Sequence, residues 1–216
     1  MSGAPGKPLS AGALERERHG AALLAVRRGG LHVELGPRER DFLASLTDWP
    51  LRAAEWRAGR HAAKEVLRQA FGLEPSRVEI LPADSGAPVL HVDGARAQSI
   101  FLSLSHTDTW AVAVAAPFPI GVDVADDEDG ARLPRIAGRV FSVGEADACG
   151  AQQSTPHQAA VWALKEAGLK LHLGGVFSPG ARSIKVLSLE PARVEGLEVA
   201  LYRLDGAAVA AAWDAR

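Results

Sequence analysis

The segment with the clearest chemical potential in this chain is the run Trp162-Ala163-Leu164-Lys165-Glu166-Ala167-Gly168-Leu169-Lys170. On a helix, Glu166 and Lys170 lie on the same face, one turn apart. A carboxylate and an ammonium held side by side suit a metal ion and a phosphate group. The same spacing is also typical of a surface ion pair that stabilises a helix by about 0.3–0.5 kcal/mol. The rest of the sequence has to decide between these two interpretations.

A second acidic residue lies in the run Ile120-Gly121-Val122-Asp123-Val124, which predicts a buried strand. Because side chains alternate along a strand, Asp123 points away from the side that Val122 and Val124 occupy. Magnesium prefers oxygen ligands and often takes only one or two carboxylates from a protein. Asp123 and Glu166 are therefore candidate metal ligands. The alternative for Asp123 is an ordinary carboxylate at the end of a strand.

Basic residues follow one another at spacings of three and four in a predicted helix over residues 51–71. We expect them to form one basic face, which is either a solvated surface or an anion site; they are Arg57, Arg60, Lys64 and Arg68. A further polar pair, Ser105-His106, ends a predicted strand. His106 is a candidate ligand contact, and the alternative is a turn histidine that bonds to a backbone carbonyl.

The segment Phe141-Ser142-Val143-Gly144-Glu145 has the pattern of a capping box, in which Ser142 caps a helix and Glu145 bonds back to it. A carboxylate there also interacts favourably with the helix dipole. We therefore expect Glu145 to be largely structural, with a secondary part in any site. Lys165 lies on another face of its helix from Lys170, where it either steers a substrate or is solvated.

Composition excludes several classes of function. The net charge of −2 gives no strong field for nucleic acid or an anionic membrane. One cysteine, Cys149, excludes an internal disulfide and a metal site of several thiolates, and it fits a reducing cytoplasm. The start of the chain does not have the pattern of a secretory signal, and no run of 18 apolar residues occurs.

Periodicity and turn residues predict the elements that would position these groups. Residues 1–20 read as a mobile lead-in, and residues 21–26 and 31–35 as a hairpin. Helices are expected over residues 37–46, 51–71, 133–139 and 156–171. Further strands are expected over residues 78–81, 89–91, 99–105, 110–116, 120–124, 184–189, 197–204 and 207–213.

The two halves of the chain repeat one pattern. Trp56 precedes Arg60 and Lys64 at the same offsets at which Trp162 precedes Glu166 and Lys170. In each half, three strands follow the helix. We therefore predict an α+β fold of two similar subdomains, residues 21–116 and 117–216, each a helix on a small, mainly antiparallel sheet. The active site would lie in the cleft between them. The alternative is a chance likeness of alanine-rich segments.

Four motifs occur in a recognisable order. They are Ser105-His106, Gly121-Val122-Asp123, Phe141-Ser142-Val143-Gly144-Glu145 and the run from Trp162 to Lys170. Over residues 50–215 this set resembles the 4′-phosphopantetheinyl transferases, in particular the larger, monomeric, pseudo-duplicated type that acts on peptide and polyketide synthases. Gly86-Ala87-Pro88 and Arg57-Ala58-Gly59-Arg60 also resemble elements of that family. The run from Trp162 to Lys170 is the most specific of these motifs.

The resemblance implies a reaction. The 4′-phosphopantetheine arm of coenzyme A would move to a serine of an acyl- or peptidyl-carrier protein, releasing 3′,5′-adenosine bisphosphate. Asp123 and Glu166 would hold Mg²⁺, Lys170 would contact the diphosphate, and Glu166 would also accept the serine proton. The nucleotide end would contact Arg57, Arg60, Ser105 and His106. We expect residues 21–116 to form the nucleotide-binding side and residues 117–216 the metal-binding side, and residues 146–159 to dock the carrier.

The chain departs from the family pattern at two positions. Ala125 stands where many members have a second acid, and Ala87 stands where a lysine is frequent. The alternative function is therefore a degenerate relative that binds coenzyme A or a carrier without transfer. Other classes fit less well. A Walker motif does not occur, and Ser105, His106 and Asp108 are too close together for a hydrolase triad. The acidic loop over residues 126–130 does not fit an EF-hand, because Ala125 stands at the first ligand position and Ile136 at the last.

Overall fold

The structure is a computed structural model that describes residues 4–29, 31–148, 154–172 and 180–215. Cys149 and part of the predicted docking segment lie outside the described residues. The strands are β1 (Lys7–Pro8), β2 (Leu14–Arg16), β3 (Ala22–Arg27), β4 (Val78–Pro82), β5 (Pro88–Val92), β6 (Ala95–Arg96), β7 (Phe101–His106), β8 (Trp110–Ala116), β9 (Gly121–Asp126), β10 (Val186–Leu189), β11 (Ala192–Val194), β12 (Leu197–Leu204) and β13 (Ala207–Asp214). The α-helices are α1 (Pro37–Ala44), α2 (Pro50–Phe71), α3 (Asp127–Gly130), α4 (Leu133–Val140), α5 (Glu145–Ala148) and α6 (Thr155–His172).

The chain forms two compact units, Ala11–Pro119 and Met1–Ser10 with Ile120–Arg216. In both, helices pack on antiparallel sheets, which confirms the predicted mixture of helices and antiparallel strands. The internal duplication and the cleft stay predictions, as does the division into a nucleotide-binding and a metal-binding side. Within the described residues, no helix has the length and apolar character needed to cross a bilayer.

The unit Ala11–Pro119 is built from α2 packed on a sheet in the order β2-β3-β8-β7. After Trp110, strand β8 consists of small and β-branched residues, and all seven of its residues are buried, as is typical of a strand covered on both faces. Its partner β7 carries Leu104 and His106 on the same face, because alternate residues share a face. Strands β4, β5 and β6 form a separate sheet.

The predicted hairpin over residues 21–26 and 31–35 is wrong. Strand β3 pairs with β2 and β8, and residues 31–36, all described, form no strand. Their backbone carbonyls bond to α2 side chains instead of to a neighbouring strand. His32 O contacts His61 Nδ1 at 2.7 Å, and Glu34 O accepts a hydrogen bond from Lys64 Nζ at 2.7 Å. These side chains bond to the carbonyls of His32 and Glu34, which in a strand would bond to a neighbouring strand.

The predicted lead-in has pairings that its composition did not indicate. Strand β1 runs parallel to β12, with Lys7 opposite Tyr202, and β2 pairs with β3. Gly6 has a φ of +114°, and a Cβ there would lie 2.9 Å from the carbonyl carbon of Tyr202. Gly6 therefore allows the close approach of β1 to β12, because it has no Cβ and tolerates this backbone conformation.

The unit with residues 120–216 packs α6 on a sheet in the order β10-β11-β12-β13-β9, with β1 beside β12. Small residues line the contact between the helix and β13, so the two backbones approach closely. They include Ala160, Ala163 and Ala167 of α6 and Ala208 and Ala210 of β13. The three strands predicted over residues 184–189, 197–204 and 207–213 are confirmed as β10, β12 and β13, and the short strand β11 lies between the first two.

Gly121 fixes where α6 lies on the sheet. A Cβ at residue 121 would lie 2.0 Å from the backbone oxygen of Ala167 and 2.8 Å from the backbone nitrogen of Leu171. Both are backbone atoms of α6, so neither can give way without moving the helix. The glycine of the Gly-Val-Asp motif therefore allows the approach that brings Asp123 to Lys170 of α6.

We expect Gly121→Ala to lower the free energy of unfolding by about 1–3 kcal/mol or more, because overpacking displaces α6. Urea denaturation monitored by circular dichroism measures the loss. The matched control is Gly138→Ala in α4, where a Cβ would meet nothing within 4 Å. It should be neutral or stabilising by up to about 1 kcal/mol. Equal effects of the two substitutions would contradict this account of Gly121.

Candidate functional site

Three residues of the predicted metal side come together between α6 and β9. Lys170 Nζ donates to Asp123 Oδ1 at 2.7 Å, which joins the helix to the strand. Asp123 is 6% exposed, and the Lys170 side chain is 24% exposed. The structure therefore brings Lys170 to Asp123, whereas the sequence paired Lys170 with Glu166 on its own helix.

Glu166 lies close enough to both groups to respond to them. Burial raises the pKa of its carboxyl above the ordinary value, the charge of Asp123 raises it further, and Lys170 lowers it. The packing of α6 on β9 holds these two carboxylates near one another, at a cost to the ionisation of Glu166. This arrangement is typical of a cation site, because a divalent ion would relieve the repulsion.

The donor set fits a magnesium ion that takes few ligands from the protein. Asp123 and Glu166 supply hard carboxylate oxygens, which Mg²⁺ prefers. In the part of the chain that the structure describes, no group of three or more histidine, cysteine or acidic residues is suited to hold a metal. Ala125 is 2% exposed and belongs to the apolar core beneath α6. Strand β9 runs through Asp126, so alternation turns Asp126 to the opposite face from Asp123.

Lys165 is neither solvated nor on a substrate path. It is fully buried and pairs with the buried Glu145 at 2.5 Å. Its ammonium also donates to the carbonyls of Ala181 at 3.1 Å and Ile184 at 2.5 Å. The expectation that it steers substrate or is solvated is therefore wrong, because its stem passes through the core and its charge is neutralised there.

Glu145 makes the bonds that the capping box predicted and further long-range ones. Its Oε2 accepts from the backbone and hydroxyl of Ser142 at 2.8 and 3.0 Å, and its Oε1 accepts from Val186 N at 2.8 Å. Burial opposes ionisation of this carboxyl, but the bonds from Lys165, Ser142 and Val186 outweigh it and hold its pKa below the ordinary value. Glu145 thus ties the α5 region, α6 and β10 together.

A cavity of about 650 Å³ lies in the unit Ala11–Pro119, beside the first turns of α2. It is lined by aromatic, apolar and polar groups together, as ligand sites commonly are. Its lining includes Phe42, Trp49, Trp56, Arg60, Leu104 and His106. The structure therefore places Arg60 and His106 on one cavity, as the predicted nucleotide side requires. Ser105 is buried in the same strand but does not line the cavity.

Arg60 is a buried cation at the wall of this cavity. It is 7% exposed, its Nε donates to Ile80 O at 2.8 Å, and its guanidinium lies 4.3 Å from the Trp56 ring centroid. Burial lowers the pKa of Arg60 to about 10, and the charge of Glu39 only partly offsets that effect. Among the described residues no carboxylate lies within ion-pair distance of it. The charge of this desolvated guanidinium is only partly neutralised, and such a group favours an anionic ligand.

The predicted single basic face is wrong, because its four members are in different environments. Arg60 lines the cavity, whereas Arg57 is exposed and lines a second cavity of about 470 Å³ with Arg28. Arg68 is on the surface and pairs with Glu65 at 2.6 Å. Lys64 is 2% exposed. Spacings of three and four keep these residues on one side of α2. They are spread along about three turns, however, so that side meets different parts of the structure and is not one exposed basic surface.

Lys64 and Glu39 form a buried pair that the sequence analysis missed. Lys64 Nζ lies 2.7 Å from Glu39 Oε2 and donates to the carbonyls of Pro75 and Val78 at 3.2 and 2.6 Å. Glu39 accepts from Gly36 N, three residues before it, and from Ile80 N at 2.9 Å. A glutamate three residues after a helix cap is a sequence signal that could have revealed Glu39.

The two buried pairs have matching partners. Each glutamate accepts a backbone bond from a strand residue 41 positions later, Ile80 for Glu39 and Val186 for Glu145. Each lysine bonds to the carbonyl two residues before that position and to one in a short 3₁₀ turn before it. By this criterion Lys64 corresponds to Lys165. This differs from the predicted correspondence, in which Lys64 is equivalent to Lys170.

Comparison with known proteins supports the resemblance drawn from the motifs. Residues 119–211 match the family model of the 4′-phosphopantetheinyl transferase superfamily. The match contains Asp123, Glu145, Lys165, Glu166 and Lys170. The resemblance drawn from the sequence motifs is therefore borne out over residues 119–211, which are less than half of the chain.

Two curated relatives and one solved structure are similar to the chain. The holo-[acyl-carrier-protein] synthase of Oceanobacillus iheyensis is 43% identical over 29% of this chain and 56% of its own length. That of Natranaerobius thermophilus is 39% identical over 28% of this chain and 59% of its own length. The chain thus spans just over half of these relatives. A holo-(acyl-carrier-protein) synthase from Bacillus anthracis, solved in complex with CoA (3′,5′-ADP), has a TM-score of 0.38 at 24% identity, covering 45% of this chain and 93% of that one.

We expect Glu166→Gln to raise the melting temperature at neutral pH in the absence of divalent metal. The folded pKa of Glu166 is raised, so the unfolded chain ionises first and stability falls as pH rises from the unfolded pKa through the folded one. The substitution removes this loss, so the two melting curves should converge at acidic pH. Calorimetric scans between about pH 4 and 8 measure it; a variant that is less stable than the parent at pH 7 would contradict the assignment.

We expect Glu145→Gln to lower the free energy of unfolding by about 3–5 kcal/mol, because Lys165 would keep a buried charge without its partner. The depressed pKa of Glu145 implies that its contribution is present above the unfolded value of about 4.3 and is lost as pH falls through the folded value. Urea titrations measure both effects. Glu195→Gln, which breaks the exposed pair with Lys185 in the same unit, should cost no more than about 1 kcal/mol. A comparable cost for the two would refute the role of the buried pair.

Proposed function

We propose that this chain transfers the 4′-phosphopantetheine arm of coenzyme A to a serine of an acyl- or peptidyl-carrier protein and releases 3′,5′-adenosine bisphosphate. The observation that carries the proposal is the group of Asp123, Glu166 and Lys170 between α6 and β9. It lies within the matched region, 119–211, and combines two carboxylates with an ammonium, the groups that a metal-assisted diphosphate reaction would use.

The proposed reaction is a single displacement at phosphorus that needs few protein groups. The serine hydroxyl oxygen attacks the β-phosphorus of coenzyme A, and the bond from that phosphorus to the bridging oxygen breaks. The electron pair leaves with 3′,5′-adenosine bisphosphate, and the hydroxyl proton passes to a base. Glu166 is the candidate base, directly or through a water, because it is a carboxylate beside Asp123 and Lys170 in the proposed site.

Asp123 and Glu166 would hold Mg²⁺, which when bound would neutralise the charge of the diphosphate. Lys170 would contact a diphosphate oxygen as a point charge on a flexible stem. The buried pair of Lys165 and Glu145 would fix α6 so that Glu166 and Lys170 keep their direction. Such rigid support is what a phosphoryl-transfer site needs, because its catalysis is mainly positioning and electrostatics.

The nucleotide end would bind to the cavity that Arg60 and His106 line. Arg60 supplies the charge that a phosphate needs, and Trp56 supplies an aromatic surface under the guanidinium. We further propose a contact from Arg57 or Ser105, although neither lines that cavity. The cytoplasmic location, the monomeric state and the internal duplication are predictions that belong to the same proposal.

The alternative is a degenerate relative that binds coenzyme A or a carrier domain without transfer. Ala125 and Ala87 motivate it, since both remove a side chain that the family often has. The intact group of Asp123, Glu166 and Lys170 favours transfer. A protein that had lost catalysis would not be expected to keep two facing carboxylates, whose mutual repulsion reduces stability.

The test of the proposal is a mass measurement. The protein is incubated with coenzyme A, Mg²⁺ and each of several apo carrier proteins, and the carrier is weighed. We expect a gain of one phosphopantetheine mass on at least one carrier, and loss of that gain when EDTA is added. Absence of the gain with every carrier, while coenzyme A still binds in calorimetry, would establish the binding-only alternative.

Three variants test the residue roles. Asp123→Asn and Glu166→Gln should lower kcat at least about 100-fold, since each removes a charge from the proposed metal site. Arg60→Met should instead raise KM for coenzyme A by about tenfold or more, because it removes a desolvated cation from the nucleotide cavity. Arg68→Met, on the exposed part of the same helix, is the matched control and should leave both constants unchanged. Full activity of Glu166→Gln would refute its assignment.

A further inference from the structure

The contact between Lys170 and Asp123 uses a carboxylate oxygen that a cation would need. Lys170 Nζ lies 2.7 Å from Asp123 Oδ1, on a carboxylate that is itself 6% exposed. Such short distances are typical of charge-assisted hydrogen bonds, which are stronger than neutral ones. A divalent ion that binds to Asp123 through this oxygen therefore competes with the ammonium of Lys170.

We propose that Lys170 is an internal counter-ion of Asp123 that a divalent cation displaces, and that the displaced ammonium then becomes available to the anionic ligand. This inference rests on the proposed function, because it concerns the same metal site. In this exchange Lys170 pairs first with Asp123 and then with the anionic ligand. Metal binding and anion binding are then coupled through the position of one side chain.

Electrostatics favours this exchange. Asp123 and Glu166 together carry two negative charges that repel one another, and the single charge of Lys170 offsets only part of that repulsion. A divalent cation brings two positive charges to the same place. The exchange therefore replaces a partial neutralisation with a full one.

The geometry allows Lys170 to move without moving the fold. Its side chain is 24% exposed, and a lysine carries its charge on four flexible methylene groups. Lys170 lies in the last turn of α6, which ends at His172. The carbonyl end of a helix attracts cations, so the displaced ammonium keeps a favourable environment nearby. Lys165, one turn earlier in the helix, has no such freedom because it is enclosed in the core.

Mn²⁺ binding, measured by titration calorimetry without any substrate, tests the exchange separately from transfer. We expect Lys170→Met to bind Mn²⁺ about fivefold more tightly than the parent protein, since the competing ion pair is gone. Lys185→Met is the matched control, because it removes an exposed lysine of the same unit and the same net charge. Its affinity for Mn²⁺ should remain within about twofold of the parent.

Unchanged or weaker binding by Lys170→Met, or an equal gain in Lys185→Met, would overturn the exchange while leaving the proposed transfer reaction intact. Failure of the transfer assay with the gain in Mn²⁺ affinity present would overturn the proposed function alone. Should Lys170→Met not fold, crystals of the parent protein with and without Mn²⁺ give the answer. The exchange requires Lys170 Nζ to leave Asp123 Oδ1 when Mn²⁺ is bound, and retention of the contact beside a bound ion contradicts it.

Discussion

The close packing of α6 on β9 is the constraint on which the candidate site depends. A helix and a strand approach this closely only if no side chain stands between their backbones, and Gly121 provides that absence. The approach brings Asp123 of the strand to Lys170 and Glu166 of the helix. The small residues along α6 and β13 serve the same contact over a longer distance. One glycine and a stripe of alanines thus set the position of two carboxylates and an ammonium.

The charged groups in this unit divide into two kinds. Lys165 and Glu145 are buried, mutually neutralised and fully bonded, so they specify the fold. Asp123 and Glu166 are held near one another although like charges repel, and burial together with the charge of Asp123 raises the pKa of Glu166. Adjacent residues of one helix, Lys165 and Glu166, therefore have different roles. Two carboxylates that repel one another stay close only if the backbone that carries them is rigid. The buried pair of Lys165 and Glu145 provides this rigidity beside the site.

The other unit contains a buried pair of the same form, Lys64 with Glu39, beside a cavity whose wall includes Arg60. Lys64 is the equivalent of Lys165 when the two units are compared. Both lysines bond to a carbonyl of a 3₁₀ turn and to the carbonyl two residues before the strand residue that bonds to their glutamate. The likeness supports the predicted duplication and changes its register. An alignment of Trp56 with Trp162 pairs Lys64 with Lys170 instead. Equal spacing after a tryptophan therefore does not ensure an equal position relative to the sheet.

The sequence by itself determined the order of the motifs, the boundaries of the long helices and the identity of the candidate metal ligands. These follow from local periodicity and from residue types whose chemistry is narrow, as with Asp123 and Glu166. It did not determine the partner of Lys170, the burial of Lys64 and Lys165, or the separation of Arg57 from Arg60. Those depend on which side of a helix faces a sheet, and spacings of three and four do not specify that side. Only the tertiary structure decided them, because burial and pairing are set by backbone contacts between residues far apart in the chain.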